Sequence, residues 1–86
     1  MAVLGDTVLY GISSADEDAV FKRWLIRGPG LGRNPKAGDV APAVVVKVNA
    51  DTTLNLRVLL DGAAEHWTPN VTTAAAGTQG SWWPKV

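Results

Sequence analysis

No cysteine occurs among the 86 residues. Disulfide staples and thiolate metal sites are therefore excluded. Histidine is nearly absent too: His66 stands alone, and no set of oxygen ligands that would complete a metal site around it stands out. Phe and Tyr occur once each. Neither sign of charge dominates, since eight Lys and Arg balance eight Asp and Glu. A nucleic-acid binder usually carries a basic excess, so this balance argues against one. No stretch approaches the ~18 apolar residues of a membrane span. Residues 1–6 lack the basic start of a secretory signal. The expectation is a soluble product of the cytoplasm with no membrane partner.

What remains is a globular composition, 47% hydrophobic, with much of that carried by Ala and Val, and four Trp. A chain of this length makes one domain with a small core, and its stability is marginal without help. With disulfides excluded, oligomerisation or docking on a larger assembly is the expected help. The charges are also unevenly placed. Asp16, Glu17 and Asp18 form an acidic run, followed by Lys22, Arg23, Arg27, Arg33 and Lys36 with no acid among them.

The clearest local pattern is central. Val44, Val46 and Val48 alternate with Val45, Lys47 and Asn49. Leu54, Leu56, Val58 and Leu60 alternate with Asn55, Arg57 and Leu59. Two such runs around Ala50-Asp51-Thr52 read as an antiparallel hairpin with one buried face. Asp61-Gly62 supplies turn chemistry after it. Residues 66–71 read as a further strand, which Pro69 places at an edge or a bend. Thr7-Val8-Leu9-Tyr10 reads as a strand near the start, and Pro42 holds Ala41 extended.

Residues 14–27 support two readings. Ser14 and Glu17 fit a capping box, acids lie at the start and cations at the end, and Gly28-Pro29 follows as a stop. Val20, Phe21, Trp24 and Leu25 then share a helical face. The rival is a strand with Val20, Trp24 and Ile26 on one side. Residues 28–38 hold four Gly and two Pro and read as a basic loop. Residues 74–80 read as a small-residue linker. The fold expected is mainly β: a small, partly open antiparallel barrel of SH3-like type, with a long loop or short helix inserted at 13–39. Its extent is 1–73, with 74–86 as a C-terminal arm.

Motifs that suggest chemistry have plainer readings. His66 is expected to be a surface or strand-packing residue, with Glu65 on the opposite face. The run 16–18 lacks calcium-loop spacing and suits a helix N-terminus. Residues 28–33 lack the preceding strand and the Lys-Ser/Thr pair of a phosphate loop. No catalytic residue, cofactor or metal is expected. Trp67 and Trp24 are expected in the core or at its rim. Trp82, Trp83 and Pro84 lie just before Lys85 and Val86; Trp is enriched at interface hot spots, and one ring of such a pair equally suits capping a small barrel. Trp82, Trp83, Pro84, Trp24, Arg27, Arg33 and Lys36 are the candidate partner-binding residues.

Val8-Leu9-Tyr10, Pro42-Ala43-Val44-Val45, Leu54-Asn55-Leu56-Arg57-Val58, Asp61-Gly62, Val71 and Gly80-Ser81-Trp82-Trp83-Pro84 follow one another in order. This series resembles small proteins of tailed bacteriophages and prophages that end in Gly-(Ser/Thr)-Trp-x-Trp-Pro. The chain departs from that pattern in having Trp-Trp-Pro and in the unmatched segment 13–39. The resemblance implies an SH3-like barrel of phage origin. The expected role is a non-enzymatic virion protein, a capsid cement or decoration protein made in the host cytoplasm. Its partners would be the major capsid protein or other virion proteins, with the chain homo-oligomeric or lattice-bound. A tail or head–tail accessory protein is the alternative in the same class. An intracellular adaptor binding a host protein or nucleic acid through residues 22–36 is the alternative in another.

Overall fold

The computed structural model describes residues 2–27, 35–50, 52–60 and 65–85; the side chains of 23–27 and 65 lie outside the description. Among the described residues, five strands and one helix follow in the order β1 (Thr7–Gly11), α1 (Ser14–Arg27), β2 (Val40–Ala50), β3 (Thr53–Leu59), β4 (Glu65–Thr72) and β5 (Trp82–Pro84). The fold is mainly β. The strands form one antiparallel sheet in the order β4-β3-β2-β1-β5.

The aliphatic alternation of β3 sets the inner face. Leu54, Leu56 and Val58 are fully buried. Residues directly opposite in an antiparallel pair share a face. The pairs Ala43↔Val58 and Val45↔Leu56 therefore bring Ala43 and Val45 inward. In turn Val8 lies opposite Ala43 and Tyr10 opposite Ala41. Small alanines leave room for the Tyr10 ring, which is buried with Ile12, Val71 and Trp82 in the same core. The β2 valines divide between faces: Val44 lies opposite Arg57 and points outward, whereas Val45 points inward. A register shift between Val45 and Lys47 leaves Val46 as the extra residue of a bulge, which resets the alternation beyond it.

Another shift lies between Val48 and Ala50 of β2, and a third lies in β4. Leu54 pairs with Val71 and Leu56 with Thr68, so Pro69 and Asn70 bulge out between them. Proline has no N–H to give a ladder, and Asn70 takes a left-handed φ of 55° that asparagine tolerates. The Asn70 N–H donates to Asn55 Oδ1 at 2.9 Å, and Asn49 Nδ2 donates to both Asn55 Oδ1 (2.8 Å) and Asn70 Oδ1 (3.1 Å).

Within the segment 74–86, expected as an arm beyond a 1–73 domain, Trp82–Pro84 run back along β1 as β5. Tyr10 faces Trp82, Leu9 faces Trp83 and Val8 faces Pro84. Trp82 also forms a parallel bridge with Thr73, just past β4. Its carbonyl accepts from the Thr73 hydroxyl at 3.0 Å and the Ala74 N–H at 3.2 Å, and its indole N–H donates to the Thr52 carbonyl at 3.0 Å. The intervening turn lies against Gly11, whose N–H donates to Ser81 O (3.0 Å) and whose carbonyl accepts from the Gly80 N–H (2.7 Å).

Residues 14–27 form a helix, and its cap sits one residue earlier than Ser14 and Glu17. Ser13 Oγ accepts from the Asp16 N–H at 3.2 Å, and the Asp16 carboxylate accepts from the Ser13 N–H at 2.9 Å. That reciprocal pair is a capping box with Asp16 in the acidic position. Glu17 instead accepts from the Ala37 N–H at 2.7 Å, tying the returning chain to the helix. Of the apolar face expected for α1, Val20 is buried and Phe21 is 44% exposed.

Candidate functional site

The most polar buried spot in the described residues lies where α1 meets the sheet. Tyr10 comes inward from β1 because it is two residues beyond Val8. His66 comes inward from β4 because it lies opposite Val58. Asp16 is brought between them by the helix cap. One carboxylate oxygen of Asp16 accepts from His66 Nε2 at 2.8 Å. The other accepts from the Tyr10 hydroxyl, from the Ser13 N–H and from the Ser13 hydroxyl at 2.8 Å. All three residues of the Tyr10–Asp16–His66 cluster are less than a tenth exposed.

The charge state follows from these partners. Burial pushes the Asp16 carboxyl up, but the hydrogen bonds from His66, Tyr10 and Ser13 outweigh it and hold the group well below the usual carboxylate range. Burial, and then the neighbouring Asp16 carboxylate, raises the Tyr10 phenol well above its ordinary value. At neutral pH Asp16 is an ionised acceptor and Tyr10 a protonated donor. An ionised carboxylate only accepts, so His66 carries a proton on Nε2. The cluster thus satisfies itself: the Tyr10 hydroxyl, the Ser13 groups and His66 Nε2 all donate to one carboxylate. It orients and anchors the helix. Among the described residues, no group of three His, Asp or Glu is placed to hold a metal ion. Nor is any helix among them long and apolar enough to cross a membrane.

The outer face of the sheet is different. Trp67 lies opposite Arg57, Arg57 opposite Val44 and Val44 opposite Thr7, a row across four strands. Trp67 is 51% exposed, so it belongs neither to the core nor to its rim, where the sequence pattern put it. Val40, Val46 and Leu59 are also exposed. Near the Leu59 end a cleft of about 470 Å³ opens between Ile12, Val40, Ala41, Pro42, Leu59 and Leu60.

Of the residues expected to bind a partner, the side chains of Trp82, Trp83, Pro84 and Lys36 are described. Trp82 and Trp83 are both buried within the chain. Pro84 is exposed beside them on β5. Lys36 is exposed in a turn, where its N–H donates to Asp39 Oδ2 at 3.0 Å. The side chains of Trp24 and Arg27, and all of Arg33, lie outside the described residues.

Sequence reasoning missed Asp16, His66 and Tyr10 as a unit, because the Asp16–His66 contact spans 50 residues. The available signal was the sole histidine on a strand able to face the sole tyrosine. Trp67, expected in the core or at its rim, stands on the outer face because of a bulge. Counting by twos back from the inward Val71 puts Trp67 inside, but the Pro69–Asn70 bulge reverses the faces, so His66 turns in and Trp67 out. No protein-family model matches the chain, and no curated protein or solved structure is significantly similar to it.

Proposed function

We propose that this chain is a small, partly open SH3-like barrel that acts as a non-enzymatic structural protein of a tailed-bacteriophage virion, cementing the major capsid lattice. The observation that carries the reading is the opposite treatment of reactive and adhesive side chains. The histidine, the tyrosine and the Asp16 carboxylate, held well below the usual range, are buried against each other. Exposed large hydrophobic side chains among the described residues include Trp67, Val40, Val46 and Leu59. That distribution suits a contact surface rather than a reaction site. The bridge from Trp82 to Thr73 supports barrel closure, because β5 touches both β1 and the chain just past β4. Phage origin rests on the ordered motif series and its Trp-Trp-Pro ending.

The contact surface shifts as a result. With Trp82 and Trp83 buried in their own domain, Trp67 takes the role of the exposed anchor. A half-exposed Trp on a rigid strand offers large contact area at low entropic cost. Many weak copies on a lattice add up, and binding supplies stability that a small core lacks. Quantitative mass spectrometry of purified particles from a phage encoding this chain tests the reading. A copy number comparable to that of the major capsid protein is expected. A few copies per particle moves the protein to the portal or tail, and its absence from particles overturns a virion role.

A further inference from the structure

The Pro69–Asn70 bulge joins two alignments of β4 on β3 that differ by one residue. On one side of it Leu54 pairs with Val71 and Thr53 with Thr72; on the other Val58 pairs with His66 and Arg57 with Trp67. Carrying the Leu54↔Val71 alignment straight on would set Leu56 against Pro69 and Val58 against Trp67. Trp67 would then turn to the core and His66 away from it, because a one-residue slip exchanges the two faces of a strand. The bulge thus decides which of the two side chains meets Asp16 and which stands in solvent.

Such a bulge is unfavourable unless its backbone is satisfied. The extra residue drops out of the ladder, and Asn70 takes a left-handed φ of 55° that side chains disfavour. Pro69 brings no N–H, so the one backbone donor that the bulge must place is that of Asn70. It goes to a side chain, Asn55 Oδ1 of β3, at 2.9 Å. The same oxygen accepts from Asn49 Nδ2 of β2 at 2.8 Å, and Asn49 Nδ2 also reaches Asn70 Oδ1 at 3.1 Å. One amide oxygen therefore ties three strands together where the register changes.

We infer that Asn55 is a positioning residue: by holding the Pro69–Asn70 bulge it keeps Trp67 on the outer face and His66 beside Asp16. Trp67 as a contact residue rests on the virion reading above; its outward stance does not.

Nuclear magnetic resonance of the full chain, with amide hydrogen exchange, tests this. In the wild type the Asn70 amide is expected to be protected about tenfold or more over an unfolded chain, although the residue is exposed. Asn55→Ala removes the acceptor. It is expected to cancel that protection and to broaden or double the Trp67 indole and His66 ring signals. Amides of Val8 and Val45, away from the bulge, are expected to stay within about twofold of the wild type. Asn55→Asp keeps a carboxylate oxygen in the same place and is expected to restore both the protection and the single signals. A fast-exchanging Asn70 amide in the wild type would overturn the inference. So would single, unshifted Trp67 and His66 signals in Asn55→Ala. Asn55→Val, a strand former with no acceptor, gives the second reading should Asn55→Ala fold poorly.

Discussion

Gly11→Ala separates two effects of opposite sign. Replacing a glycine in extended backbone restricts the unfolded chain and stabilises by about 0.4–1 kcal/mol where nothing obstructs the methyl. Here something does. A Cβ at Gly11 would lie 2.5 Å from the Thr78 carbonyl oxygen, 3.1 Å from its carbon and 3.3 Å from Gln79 Cα. All three are backbone atoms, so no side chain can swing aside. The turn must move, and it is held by the hydrogen bonds of Gly11 with Gly80 and Ser81. Losing one such bond costs about 1 kcal/mol, and forcing a methyl into a packed site costs about 1–3 kcal/mol. The clash wins: a net loss of about 2 kcal/mol is expected, or roughly 8–16 °C in Tm for a domain of this size. Thermal unfolding by far-UV circular dichroism, with urea midpoints as a check, measures it. Gly5 and Gly77 are the controls, since a methyl at either meets nothing within 4 Å and the cost comes only from positive φ values of 90° and 89°. An unchanged or raised Tm for Gly11→Ala would show that the 75–81 turn does not lie on β1, and that β5 is not fixed as described.

Three further outcomes are expected. Asp16→Asn should destabilise by about 3 kcal/mol at pH 7, because buried donors lose a charged acceptor. The folded carboxyl titrates below its unfolded value of about 3.9, so this stabilisation is complete above that pH and fades as the pH falls through the folded value. The gap between wild type and variant in urea titrations should accordingly narrow below about pH 4. Trp82→Phe removes the indole N–H that reaches Thr52 O and should cost about 2 kcal/mol in the same assay, against no loss if that ring were a free arm. Trp67→Ser should change stability by less than about 0.5 kcal/mol while lowering occupancy on purified particles; full occupancy would remove Trp67 from the contact surface.

Local sequence was enough to fix the central hairpin, the strand at Thr7-Val8-Leu9-Tyr10, the bend at Pro69 and the charge layout of α1. Each rests on contacts or propensities a few residues apart: a period of two for strands, acids before cations along a helix, a proline that cannot donate. The helix was legible only as one of two readings, and its cap was off by one because Ser13 and Ser14 both offer a hydroxyl. The tertiary structure decided which face each strand turns to the core. Bulges at Val46 and at Pro69–Asn70 reverse the alternation partway along β2 and β4, and a single extra residue exchanges inside for outside. It also decided that Asp16 meets His66 and Tyr10, and that the two terminal tryptophans are buried in their own sheet. Those pairings join residues far apart in the chain. They depend on strand order and register, which exist only once the sheet has formed.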